Sequence, residues 1–166
     1  TDPPDFERLA ERLREAAAAP RAGLALRGDA VGVSTLEEHG FAFARGALSQ
    51  APIGRAFAEL WARVPHLVVY DAKGLIGALD LPPRDVGDDP MIGAHLLDPG
   101  RTYADVAQAA SAVLHRALPD DAAAAADAAL RIAGVARAEL ETRDQLALYT
   151  GVEVTLAGAL AKMERA

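Results

Sequence analysis

The sequence predicts an α/β domain built on one mixed sheet, and three observations carry that expectation. Strand-length apolar or alternating runs at 22–27, 30–36 and 41–45 are joined by hairpin-type connections. A continuous β-branched run follows at 67–70. Helical periodicity surrounds these runs and takes over the chain after residue 103.

The elements follow in order. Asp5 precedes F-E-R-L-A-E-R-L-R-E-A-A-A-A as an expected N-cap, and Phe6, Leu9, Leu13 and Ala16 recur at helical spacing until Pro20 stops the run. A-G-L-A-L-R, A-V-G-V-S-T-L and F-A-F-A-R are separated by Gly28-Asp29 and by E-E-H-G, which predicts three antiparallel strands. Helical spacing returns over 53–64 through Ile53, Phe57, Leu60, Trp61 and Val64, and Pro65 ends it. L-V-V-Y (67–70) is apolar at every position, the pattern of a central strand covered on both faces. A short helix weakened by two glycines is expected at 73–79, and a loop, with at most a brief strand, at 81–87. Asp89 is placed to cap a two-turn helix that Pro90 opens and Pro99-Gly100 stops. Three further helices are expected at 103–114, 120–142 and 144–164. The last carries Leu146, Tyr149, Val152 or Glu153, Leu156, Leu160 and Met163 as an apolar stripe.

Composition bounds the function. The chain has 166 residues, enough for one domain with a buried core; 51% are apolar and 25% charged. There is no cysteine, which excludes disulfides, thiolate nucleophiles and zinc–cysteine sites and fits a cytoplasmic location. The start T-D-P-P-D-F-E-R-L has no basic region followed by an apolar run, and no segment approaches the roughly 18 apolar residues of a membrane span. Neither a targeting segment nor a membrane partner is expected. The net charge is −7, the lysines are Lys73 and Lys162 alone, and the arginines are dispersed. A phosphate backbone is held by clustered cations, so weak or no DNA binding is expected of this domain by itself.

Candidate chemistry is sparse. His39, His66, His95 and His115 fall in four separate elements with no ligand spacing between them, and are read as isolated histidines. The phosphate-loop, dinucleotide and nucleophile-elbow motifs are absent. Asp71, Asp80, Asp85, Asp88 and Asp89 lie close in sequence at strand and loop ends, where hydrolytic metal sites recruit ligands. Capping of the helix at Pro90 is the preferred reading of Asp88 and Asp89, and solvated turns that of Asp71 and Asp80.

D-D-P-M-I-G-A-H-L-L-D-P-G (88–100), with A-K-G-L-I-G-A-L-D-L-P-P before it and V-E-V-T-L-A-G-A-L-A-K-M-E-R-A at the chain end, resembles the 3′-5′ exonuclease-like domain of bacterial DNA polymerase I, the family A polymerases. The resemblance covers essentially the whole chain in order and is nearest the thermophile-type members whose proofreading domain is vestigial. It implies a ribonuclease H-like (DnaQ-like exonuclease) fold, a mixed sheet with flanking helices and a helical C-terminal half. It also implies a single domain over 1–166, with 144–166 leading into a polymerase domain.

Active members of that family hold two divalent metals with four carboxylates, which activate a water and stabilise the leaving 3′ oxygen. They come from a D-x-E on the first strand, the last residue of N-x-K-Y-D, and a late Y-x-x-x-D helix. On the first strand the preferred register puts Arg27 and Asp29 at the D-x-E pair, and a one-residue shift puts Leu26 and Gly28 there. In the second motif Asp71 falls on the Asn, Lys73 on the Lys, Gly74 on the Tyr and Leu75 on the metal-binding Asp. Leucine cannot ligate magnesium or manganese. In the late helix Asp127 matches the Asp, but Ala123 stands where the water-orienting tyrosine would be. The resemblance therefore implies a degenerate domain: no catalytic or metal-binding residue, no cofactor, no enzyme activity of its own. Its role would be structural support for the polymerase domain of the same parent chain, in DNA replication and repair, with DNA engaged by that polymerase. The alternative is a residual 3′-5′ exonuclease using Asp29, Asp71, Asp89 or Asp127 with Mg²⁺ or Mn²⁺ in a rearranged site. Part of the apolar stripe of 144–166, the junction to the polymerase domain, would then be exposed in the isolated chain.

Overall fold

The computed structural model describes residues 3–103 and 105–153. Helix α1 (Pro3–Ala17) opens at Pro3. Proline presets the helical φ in the first turn, where its missing N–H costs nothing, so Asp5 falls inside the helix and not at its cap. Strands β1 (Arg21–Arg27), β2 (Ala30–Ser34) and β3 (Phe41–Ala44) are antiparallel as expected. Gly28 supplies the one positive φ (58°) of the two-residue β1–β2 turn, a backbone state that costs glycine nothing. Helix α2 (Ala51–Arg63) carries Pro52 in its first turn and is followed by β4 (His66–Val69).

Strand β4 pairs parallel with β1, and the sheet order is β3-β2-β1-β4. The 67–70 run is thus buried but not central. Leu67, Val68 and Val69 are 0–1% exposed because helical layers cover both faces. The outer edge of β4 is closed by residues 87–88, through a bridge between Val68 and Asp88 and a Val69 N–H to Asp88 carbonyl bond of 3.0 Å. A continuous apolar run reports covered faces and says nothing about which strands flank it.

Helix α3 (Ala72–Leu79) forms despite its glycines because Asp71 and Asp80 terminate it. Helix α4 (Pro90–Leu97) is capped by Asp89 as expected. The expected helix at 103–114 is α-helical only over α5 (Val106–Ala109) and then widens into a π-helical turn, Ala110–Leu114. Helix α6 (Ala122–Thr142) is capped by Asp121. The described part of the last segment is α7 (Leu146–Leu148) followed by a π-helical turn over Tyr149–Glu153. Leu156, Leu160 and Met163 of the expected apolar stripe lie outside the described residues. Leu148 is 41% exposed, whereas Tyr149 is buried.

The sheet separates two apolar layers. One packs Leu24, Val31, Val33, Leu67 and Val69 against α1, α2 and α3. The other packs Ala25, Val68 and Tyr70 against α4, α5 and α6. On the second face small residues meet small residues. A Cβ added at Gly23 would lie 2.7 Å from the Ala126 carbonyl oxygen, and one at Gly32 would overlap the Ala122 carbonyl. Helix α6 therefore lies with its backbone directly on β1 and β2, a contact that alanines along the helix and glycines on the strands permit.

Backbone cannot give way as a side chain can. Gly32→Ala is expected to cost about 1–3 kcal/mol, the usual penalty for overpacking. Gly134→Ala, inside α6 with open space around it, should gain up to about 1 kcal/mol. Urea titration of the two variants checks the pair; equal effects would contradict the close approach.

Candidate functional site

The side chains of β1 that face α6 are those of Gly23, Ala25 and Arg27, because Leu24 and Leu26 pack into the opposite layer. In the register that places Leu26 and Gly28 at the D-x-E positions, Leu26 packs into the layer away from α6. In the other register, Arg27 faces the start of α6 and pairs with Asp120 at 3.0 Å. Asp29 stands exposed in the turn beyond the strand, where its carbonyl accepts the Arg45 N–H at 2.8 Å. The β1 face opposite α6 thus carries no carboxylate, and the space between them is filled by the glycine–alanine contact.

Asp127 is engaged through both carboxylate oxygens. Its Oδ1 accepts the Glu38 N–H at 2.7 Å and its Oδ2 the Arg131 Nε–H at 2.9 Å. Arg131 also stands 3.4 Å from Glu38 and 3.7 Å from Glu37. Asp127 thereby pins the β2–β3 loop to α6, with Glu38 in the left-handed region at φ 68°. Leu75 is 1% exposed and belongs to the layer formed with α1 and α2, on the other side of the sheet from Asp127.

Asp71 adopts φ 56°, and its side chain accepts the Gly74 N–H at 3.1 Å as the cap of α3. A side chain at position 74 would meet the Asp71 carboxylate as it stands, so the glycine leaves this cap undisturbed. Asp71, half-buried and capping α3, is more than a solvated turn residue; Asp80 is exposed where it ends α3 at φ 53°. Asp85 is exposed, and its carbonyl accepts from Arg84.

The most organised polar constellation lies at 88–89. Asp89 is 1% exposed and joins two helix starts: it accepts the Asp71 N–H (2.9 Å), the Ala72 N–H (2.8 Å) and the Met91 N–H (3.1 Å). Burial pushes its carboxyl up to about 7, against the pull of those N–H donors. Asp88, 2% exposed, accepts from His66 Nε2 (2.6 Å), Arg137 Nε (2.8 Å) and the Tyr149 hydroxyl (2.9 Å). The Tyr149 oxygen in turn accepts the Asp89 N–H at 3.0 Å. Burial pushes the Asp88 carboxyl up, but the bonds from His66, Arg137 and Tyr149 outweigh it and hold it below the ordinary range. Capping therefore accounts for Asp89 alone, and His66 is not isolated. His39, His95 and His115 are exposed. Arg137 and Tyr149 carried no functional signal in the sequence.

This arrangement ties several elements together. It fixes the loop before α4, the edge of β4, the middle of α6 and the start of the C-terminal segment to one buried carboxylate. Of the carboxylates the alternative nuclease would use, Asp71 and Asp89 are brought together; Asp29 and Asp127 stand elsewhere. Among the described residues no three His, Asp or Glu side chains converge in a group able to hold a metal ion, and no helix is long and apolar enough to cross a membrane.

No family model matches the sequence, and no curated protein matches it. Among solved structures, the chain is similar to the POL domain of Pol1 from M. smegmatis in complex with a DNA primer-template and a dNTP, at 24% identity and a TM-score of 0.78. The match covers 95% of this chain and 30% of that one, so the chain shares its fold with about a third of a longer polymerase polypeptide.

Proposed function

We propose that the chain is a catalytically degenerate 3′-5′ exonuclease-like domain of a bacterial DNA polymerase I, with a ribonuclease H-like sheet. It supports the polymerase domain of its parent chain and does not itself cut. The observation that carries this reading is the direct seating of α6 on β1 and β2. Two-metal cleavage needs several carboxylates that converge on the same pair of ions, and this seating brings none to the strand face under α6. Here Gly23 and Gly32 meet the α6 backbone, Arg27 brings a positive charge to the first-strand position, and Leu75 is core. The fold similarity to part of a DNA polymerase chain supports the assignment of the parent, and the motif resemblance over 71–75 and 88–100 supports the nuclease ancestry.

In this role the residues that matter are those that make the domain rigid. The Asp88 cluster is foremost, because it ties Tyr149 and α6 to the loop before α4.

The test is incubation of the chain with 3′-labelled single-stranded DNA and Mn²⁺ or Mg²⁺. No shortening above a metal-free control is expected. Shortening that EDTA abolishes and that Asp71→Asn or Asp89→Asn reduces would establish the residual nuclease instead.

A further inference from the structure

We propose that the groove between α1 and the outer edge of β3 binds an acidic, extended peptide segment of a partner protein, which adds to the sheet beside β3. The inference is independent of the nuclease question. Strand β3 ends the sheet order and pairs with β2 alone. The Arg45 N–H bonds to the Asp29 carbonyl, and the register pairs Val31 with Phe43 and Val33 with Phe41. In an antiparallel ladder the inward-bonding residues alternate, so positions 41, 43 and 45 address β2. The Ala42 N–H and C=O and the Ala44 N–H consequently point out from the sheet.

Soluble proteins blunt such an edge with lysine, proline, a bulge or a covering segment. The four-residue strand F-A-F-A is short but carries no charge and no proline. Beside this edge lies a groove of about 490 Å³ with Phe6, Leu9 and Phe41 among its walls. Its charges are Arg8 and Arg12, and among the described residues no Asp or Glu lines it, in a chain whose net charge is −7. The Arg12 guanidinium carbon lies over the Phe41 ring, 4.2 Å from its centroid. A guanidinium presents five N–H donors, more than one ring face engages, so Arg12 can also meet a carboxylate.

Edge N–H and C=O groups, an apolar floor and a basic rim together select an extended strand with alternating apolar and acidic side chains. A second copy fits less well. Pairing β3 with itself would bring Arg8 and Arg12 toward the same arginines of the other copy.

The probe is a fluorescein-labelled peptide, Glu-Val-Glu-Phe-Glu-Val-Asp, titrated with the 166-residue chain and followed by anisotropy. Saturable binding is expected that weakens with added NaCl. Reversal of both arginines (Arg8→Glu with Arg12→Glu) should weaken it at least about tenfold, a change of about 1.4 kcal/mol. Ala42→Pro, which removes an outward N–H at an edge position, should weaken it too. If Ala42→Pro unfolds by circular dichroism, the surface arginine pair decides. The proposal is overturned by no saturation up to millimolar chain, by equal binding of the peptide with lysine in place of each acid, or by sedimentation showing the edge occupied in a dimer.

Discussion

Leu75→Asp, which writes the missing metal ligand of the nuclease motif back into its own position, is expected to lower stability by about 4 kcal/mol or more and to gain nothing from Mn²⁺. Deleting a buried leucine side chain costs about 2–5 kcal/mol, and a carboxylate placed in the same apolar layer adds a desolvation penalty. Leu75 is 1% exposed, packed in the apolar layer formed by α1, α2 and the sheet. The introduced carboxyl would have its pKa raised by burial. A raised folded-state value means stability present below the unfolded value and lost as pH rises through the folded one, so the variant should be worst at neutral and alkaline pH. Leu75→Asn provides the uncharged comparison. Thermal melts with and without Mn²⁺ read the outcome, since a ligand bound only by the folded state raises Tm. A Tm that rises with Mn²⁺ in the aspartate variant would mean that position 75 still faces a metal site, and the degenerate reading would fall.

The same position shows what a sequence can and cannot carry. That Leu75 cannot ligate a metal is legible from the residue type alone; that it is core, on the opposite side of the sheet from Asp127, requires the topology. The antiparallel strands were legible because alternation and the Gly28-Asp29 turn are local signals. The position of β4 was not, because an apolar run is the same whether the strand lies inside the sheet or at an edge covered by residues 87–88. The D-P pair at 89–90 announces a helix cap, and the structure has one. Its neighbour Asp88 could have been flagged by elimination: one residue caps, so a second adjacent aspartate must find other partners or face solvent. Which partners it finds was beyond reach, for His66, Arg137 and Tyr149 stand 22, 49 and 61 residues away. The π-helical turns at 110–114 and 149–153 leave no local signature in the sequence either.

Asp88→Ala is expected to cost about 1–3 kcal/mol: the buried Tyr149 hydroxyl is left without its acceptor, while Arg137 and His66, each more than a third exposed, can turn to water. Arg137 would lose its carboxylate and keep the Gly87 carbonyl at 3.2 Å; His66 and the Tyr149 hydroxyl would lose theirs. Asp88→Asn should cost less, since an amide retains one acceptor while turning its NH₂ toward a donor. Tyr149→Phe removes one donor to Asp88 and the acceptor of the Asp89 N–H, and is expected to cost about 1–3 kcal/mol. Combined with Asp88→Ala it should add much less than its separate effect, because both changes break the same bonds. Additivity in that cycle would mean that Tyr149 is held by packing against Leu140 and its neighbours and not by the carboxylate.

The acid limb gives a second readout. Asp88 has a folded-state value below the unfolded one, so its contribution is present above about pH 4 and disappears as pH falls through the folded value. Asp89, raised to about 7, acts in the opposite sense and loses stability as pH rises from about 4 through 7. Two adjacent carboxylates, one beside an arginine and one among backbone N–H groups, therefore pull the pH optimum from both sides toward mildly acidic conditions. In Asp88→Asn the steep loss below pH 4 should flatten while the loss toward neutral pH persists. Urea midpoints measured from pH 3 to 8 separate the two limbs. If the acid limb survives in Asp88→Asn, the junction at the start of the C-terminal segment does not depend on this carboxylate.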